Sequence, residues 1–85
     1  MRKKTDFYRM YFEQLARRGF KPVRSESADY IADIYHKGQL IGYYSKADTI
    51  MPCTKTQLIM KEKQFNKYMS IIKDTAEATA LRVGI

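Results

Sequence analysis

The sequence predicts a small α+β fold in the order N-terminal helix, small antiparallel β-sheet, long C-terminal helix. Three observations support this: an apolar stripe at helical spacing near the start, two β-rich runs joined by turn residues, and a long helical pattern at the end. Eighty-five residues suit one domain. We therefore expect residues 1–85 to form a single domain, with residues 1–4 as a flexible basic arm.

The first helix is predicted over about Thr5 to Arg18. Thr5 is suited to cap its start, and Gly19 is suited to the left-handed residue that follows a helix end. Apolar residues recur at helical spacing and form the stripe that should face the core, namely Phe7, Tyr8, Tyr11, Phe12 and Leu15.

A β-hairpin is predicted over residues 30–45, with Lys37 and Gly38 as its two-residue turn. A regular register places Ala32 opposite Tyr43 and leaves a more open face that carries Tyr35, Leu40 and Tyr44. Residues 20–26 are compatible with a third strand. Because Pro22 lacks a backbone donor, that strand would lie at an edge or be irregular.

A long helix is predicted over about Lys55 to Arg82. The pattern from Thr54 to Gln57 matches a capping box at its start. One helical face, which includes Leu58 and Phe65, is expected to lie on the core. Apolar residues also form a second stripe on roughly the opposite side of this helix, which includes Met60, Ile71 and Ala78.

The net charge of +7 is unevenly distributed along the chain. Residues 1–24 carry +6, residues 25–54 carry −2 and residues 55–85 carry +3. Such a field suits a polyanion, although the same charge also serves solubility. The sequence therefore predicts a nucleic-acid-binding accessory module that binds DNA or RNA through basic side chains of the arm and helices, namely Arg2, Lys3, Lys4, Arg17, Arg18, Lys21, Arg24, Lys63 and Lys67.

The alternative is a module that binds another protein or a second copy of itself. Exposed apolar residues on small proteins often mark contact surfaces. The candidates lie on the open sheet face and the second stripe of the long helix, namely Tyr35, Leu40, Tyr44, Met60 and Ile71. Tyr35 and Tyr44 could also stack on bases.

No catalytic constellation, cofactor motif or metal-ligand spacing is present in the sequence, so we expect a protein that is not an enzyme and has no cofactor or small-molecule substrate. The single cysteine, Cys53, precedes a helix start, where a thiol can become reactive. The alternative is a buried structural thiol. The sequence has no apolar run long enough for a membrane span or a secretory signal, and we expect a cytoplasmic protein without a membrane partner.

Overall fold

Two long helices, one short helix and a four-stranded antiparallel sheet make up the protein, in the α+β arrangement that the sequence predicts. The fourth strand lies in a segment that was predicted to be a connection. The computed structural model describes residues 2–84, and the side chains of residues 4–84. The strands follow one another as a meander in the order β1-β2-β3-β4. The elements, in chain order, are α1 (Arg2–Arg17), β1 (Phe20–Arg24), β2 (Tyr30–His36), β3 (Gln39–Ser45), β4 (Ile50–Pro52), α2 (Thr54–Ile59) and α3 (Glu62–Val83).

The core lies between the sheet and the pair of long helices. Leu15 from α1, Ile34 from β2 and Ile72 from α3 are completely buried there. Tyr11 is also fully buried, and its hydroxyl donates a hydrogen bond to the Ile72 carbonyl at 3.1 Å, which ties α1 to α3. Burial of each large side chain contributes about 1.5–3 kcal/mol to folding.

The predicted turns are confirmed. Gly19 follows α1 with a φ of 89°, in the left-handed region that favours glycine. Lys37 and Gly38 both have positive φ values, 51° and 81°, as a two-residue hairpin turn of type I′ requires. The third strand at the sheet edge is present as β1.

The first helix begins earlier than predicted, because α1 starts at Arg2 and not near Thr5. Thr5 therefore lies inside the helix and is not its cap. The basic residues ahead of it are good helix formers. Lys4 is further held by an ion pair with Asp48 in the β3–β4 loop, with an N–O distance of 2.9 Å.

The hairpin contains a β-bulge that the predicted register lacks. Ile34 pairs with Gly42, and the next residue, Tyr35, pairs with Leu40, so that Ile41 is an extra residue in β3. Side chains alternate along a strand, so after one extra residue every later side chain of β3 lies on the opposite face of the sheet from the one predicted.

The predicted open-face position of Tyr44 is therefore wrong. Ala32 pairs with Tyr44 and not with Tyr43, and the Tyr44 ring is buried in the core with 4% of its surface exposed. Tyr43, and not Tyr44, lies on the sheet face away from the helices. A second irregularity, next to Ile31, leaves that side chain packed against the core.

The long helix is interrupted, whereas the sequence predicted one continuous segment. Met60 and Lys61 are extended, with ψ angles of 158° and 132°, and separate α2 from α3. The break resets the helical phase, so that Leu58 is 86% exposed and not on the core. The predicted capping box is absent as well, since Cys53 occupies the N-cap position of α2 without a side-chain cap hydrogen bond. Within residues 2–84, no helix combines the length and apolarity that a membrane span requires.

Candidate nucleic-acid interface

Three aromatic rings join the elements that meet at one end of the sheet. His36, at the end of β2, lies 4.2 Å from Tyr68 of α3 and 5.0 Å from Phe20 of β1, between ring centroids. Phe20 and Tyr68 are 5.9 Å apart. Burial among these rings lowers the pKa of His36, and the charge of Lys37 lowers it further. The hairpin tip, the α1–β1 turn and the first turns of α3 therefore form one surface.

Exposed cations surround this ring cluster. Arg17 ends α1 and Arg18 follows it, Lys37 is in the hairpin turn, and Lys67 is next to Tyr68 in the chain. The start of α2 approaches the hairpin from the outer side of the sheet, because Lys55 and Leu40 of β3 line the same cavity. We call this set of eight exposed residues the basic end: Arg17, Arg18, Lys21, Lys37, Lys55, Lys61, Lys63 and Lys67.

The basic end accounts for the whole net charge of the chain. It holds eight of the sixteen Lys and Arg residues, and one of the nine acidic residues, Glu62, lies within it between Lys61 and Lys63. The remaining eight basic and eight acidic residues cancel, so the excess of +7 belongs to this end. The next acid along α3 is Asp74, seven residues beyond Lys67.

The cations of the basic end are not neutralised by acidic partners. The two ion pairs among the described side chains are Lys4–Asp48 and Arg9–Asp6, and neither belongs to this set. Arg18 is held by a neutral group, because its Nη1 donates to the Thr75 hydroxyl at 2.5 Å. All eight charges therefore remain available to a ligand.

The structure brings together five of the predicted nucleic-acid contacts, Arg17, Arg18, Lys21, Lys63 and Lys67. Arg24 lies at the other end of β1, opposite Ala32. Lys4 also lies away from this surface, and its hydrogen bond with Asp48 raises its pKa. The side chains of Arg2 and Lys3 lie outside the described residues.

Three members of the basic end were missed in the sequence. Lys37 could have been found, because the Lys37-Gly38 turn was predicted and a turn residue is normally exposed. Lys55 and Lys61 could not, because their position depends on the break between α2 and α3.

The side of the sheet away from the helices carries three tyrosines. Tyr30 and Tyr43 stack with ring centroids 4.4 Å apart and an angle of 11° between the rings. Burial is the main cause that raises the pKa of Tyr43 to about 12, and the nearby Cys53 thiol adds to it. We call this side the outer sheet face, and its residues are Lys21, Val23, Tyr30, Asp33, Tyr35, Leu40, Tyr43 and Met51.

Two cavities flank the stacked pair, and both are lined by Tyr30 and Tyr43. One, of about 450 Å³, also contains Asp33 and Tyr35. The other, of about 520 Å³, contains Leu40 and extends to the start of α2. The Oδ1 atom of Asp33 is buried and has no hydrogen-bond partner, which is unusual for a carboxylate.

Cys53 is buried, with 7% of its surface exposed. Burial opposes its ionisation, but hydrogen bonds from Thr56, whose hydroxyl lies 3.5 Å from the sulfur, and from Tyr43 outweigh that effect and lower the pKa of the thiol. The interactions of His36 are with Phe20 and Tyr68, so the structure does not bring the only histidine to the thiol.

The predicted partner-binding residues do not form one surface. Tyr35 and Leu40 are half-buried on the outer sheet face, and Tyr44 is in the core. Met60 and Ile71 are half-buried and pack against the core. The most exposed large apolar side chains are others, namely Leu58 at 86%, Ile59 at 77% and Leu81 at 83%.

The described side chains contain no group of three or more His, Cys, Asp or Glu residues that could hold a metal ion. Comparisons of the chain with protein-family models, with curated proteins and with solved structures found no match.

Proposed function

We propose that this protein is a non-enzymatic nucleic-acid-binding protein that holds a phosphate backbone on its basic end. The observation that carries this proposal is the location of the entire net charge of +7 at one end of the fold. Eight exposed cations without ion-pair partners among the described side chains lie in the segments that carry or adjoin the ring cluster of Phe20, His36 and Tyr68.

The physical basis is the release of counterions. A phosphate backbone carries condensed cations, and each Lys or Arg that contacts a phosphate releases some of them into solution. A cation in an ion pair would have to break that pair before it binds a phosphate. The cations of the basic end have no ion pair to break. Arg17 and Arg18 provide planar donors that suit phosphate oxygens, while the lysines act as point charges.

The molecule has the dimensions of a contact that spans several nucleotides. Its extents are 39 × 25 × 18 Å. A surface about 25 Å wide would cover roughly seven base steps at about 3.4 Å each. Eight cations therefore match the number of phosphates within reach.

The test is a titration of the full chain against a labelled duplex and a labelled single strand, followed by fluorescence anisotropy. We expect binding at low salt that weakens steeply between about 50 and 200 mM salt. Absence of binding to both ligands at low salt would refute the proposal. Binding that does not change with salt would rule out a phosphate contact through the basic end.

Self-association is a second candidate function, and one observation favours it. Leu58 and Ile59 are adjacent, almost fully exposed and located on the short helix α2. Burial of two such side chains against a second copy would be favourable by about 1.5–3 kcal/mol each. Sedimentation over a concentration series tests this candidate. Mass that rises with concentration, and does not rise in a Leu58→Ser/Ile59→Ser variant, would support it, whereas a monomer throughout would exclude it.

A further inference from the structure

The stacked tyrosines of the outer sheet face form a wall between two cavities. Tyr30 and Tyr43 lie almost parallel, so each ring has one face against its neighbour and the other directed away from it. The two cavities are lined by this same pair, and their volumes, about 450 and 520 Å³, lie in the range of small-ligand sites. A flat ring placed in either cavity would pack against both tyrosines.

From this geometry we infer that the outer sheet face binds the bases of a single-stranded nucleic acid, with bases stacked beside the Tyr30–Tyr43 pair. This inference rests on the proposed function and specifies its ligand. Bases stack on aromatic side chains because every base has a π-face, and this contact tolerates different sequences. The bases of a duplex are already stacked inside the helix, so a duplex cannot supply them to a sheet face.

The position of Asp33 adds a polar contact to the stacking surface. Its side chain lines the cavity that contains Tyr30, Tyr35 and Tyr43, and its buried Oδ1 accepts no hydrogen bond. A buried acceptor without a donor is costly, and a ligand that supplies the donor removes that cost. In a single strand the exocyclic amino groups of cytosine, adenine and guanine and the N3–H of thymine are all such donors, whereas N3-methylthymine has none. Because this oxygen is buried, the carboxylate has to rotate before a base can reach it.

The charges of the two cavities differ, and those of the cavity at Lys55 favour a strand over a cationic peptide. Lys55 lies in one cavity without an acidic residue. Arg24 lies in the other, together with Glu26 and Asp33. Lys21 is on the same face, opposite Tyr35, and belongs to the basic end. A strand whose phosphates lie on the basic end can therefore continue past Lys55 onto the tyrosines, where Lys55 would repel a partner's arginine. In the other cavity Glu26 and Asp33 outnumber Arg24, so there the base and not a phosphate would face the side chains.

The experiment compares single-strand and duplex binding of the full chain with that of a Tyr30→Leu/Tyr43→Leu variant. We expect this variant to lose about 10- to 100-fold in affinity for the single strand, since stacking is worth a factor of this order per base. Its affinity for the duplex should stay within about two-fold, because the basic end is unchanged. The matched control is Tyr8→Leu, which changes a half-buried tyrosine of α1, on the other side of the sheet, and should affect neither ligand.

The Asp33→Asn variant tests the polar contact. Wild-type protein should bind oligo-dC more tightly than an oligonucleotide of N3-methylthymidine, whose bases have no donor, and the variant should lose that preference while it retains salt-dependent binding. Circular dichroism checks that each variant folds. If the double variant does not fold, the wild-type protein supplies the same information: it has seven tyrosines and no tryptophan, so stacking should quench its intrinsic fluorescence with the single strand and not with the duplex.

The outcomes separate this inference from the proposed function. Binding to both ligands that is unaffected by the tyrosine substitutions, with no selective quenching, would overturn the inference and leave the basic end as the site. Absence of binding to either ligand would overturn both. Capture of an oligo-arginine peptide that a single strand does not displace would assign the outer sheet face to cationic peptides and overturn the inference alone.

Discussion

The His36 imidazole packs on the Tyr68 ring with their centroids 4.2 Å apart and an angle of 35° between the ring planes. This contact joins the hairpin tip to α3, which are distant in sequence and close in the fold. It also brings the backbone of Lys37, which follows His36, near that of Lys67, which precedes Tyr68. The basic end is therefore held by aromatic packing and not by ion pairs.

His36 should make stability depend on pH near neutrality. Its pKa in the folded protein is lowered from 6.5, chiefly by burial. The unfolded chain therefore binds the proton first as the pH falls, and protonation favours unfolding. The stability contribution of neutral His36 is complete above the unfolded pKa and decreases as the pH falls from there toward the folded pKa. Thermal melts between about pH 7.5 and 5.5 should show a falling Tm, in a range above the titration of most carboxylates.

The control for this pH dependence is His36→Phe, which keeps an aromatic ring against Phe20 and Tyr68 and removes the titrating group. Its Tm should vary less over the same pH range than that of the wild-type protein. Equal slopes for the two proteins would show that other groups cause the dependence and that His36 does not.

Tyr44 and Tyr43 should differ strongly in their contribution to stability. Tyr44 is buried, and its hydroxyl donates to Asp48 at 3.2 Å, so Tyr44→Ala should cost about 3–5 kcal/mol. Tyr43 is half-buried and stacks on Tyr30, so Tyr43→Ala should cost only about 1–2 kcal/mol. Urea denaturation measures both. A larger loss of stability for Tyr43→Ala than for Tyr44→Ala would favour the regular hairpin register and contradict the bulge at Ile41.

Gly42 should not accept a side chain. A Cβ atom at this position would lie 2.6 Å from the backbone carbonyl oxygen of Met51, and backbone of a paired strand cannot move away cheaply. Gly42→Ala should therefore destabilise the protein by more than the roughly 1–2 kcal/mol expected for Gly38→Ala. Gly38 has a positive φ, but a methyl group added there would meet no atom within 4 Å, so only backbone strain acts at that position. A smaller effect at Gly42 than at Gly38 in urea denaturation would contradict the close approach of β3 and β4.

Local chemistry made part of the fold predictable. Gly19 and the Lys37-Gly38 turn require backbone conformations that few residues adopt, and both were identified from residue type alone. The break at Met60 and Lys61 leaves no such signal, because it involves neither glycine nor proline. The bulge at Ile41 adjoins Gly42, and an isolated glycine in a strand can mark a bulge, but the predicted register did not use this signal. Both irregularities arise from tertiary packing, in which both Ile34 and Ile41 must be buried and the chain must pass from β4 to the helical layer.

In the candidate site, too, the features set by composition were predicted and those set by tertiary contacts were not. The basic nature of α1 and α3 is a property of composition and was predicted. The pairing of Lys4 with Asp48 and the position of Arg24 removed two expected contacts from the surface, and both depend on contacts between distant parts of the chain. The sequence also assigned Tyr44 to the open face in place of Tyr43, since one extra residue in β3 exchanges the two.

The most direct test of the central claim is the salt dependence of nucleic-acid binding in two charge-matched variants. Lys37→Gln/Lys67→Gln removes two cations of the basic end, and Lys46→Gln/Lys73→Gln removes two exposed lysines outside it. Each pair lowers the net charge equally. The slope of log K against log salt concentration should decrease in magnitude by about 1.4 to 1.8 for the first pair and stay near the wild-type value for the second. Equal changes in the two variants would show that net charge alone governs binding, and would contradict a phosphate site at the basic end.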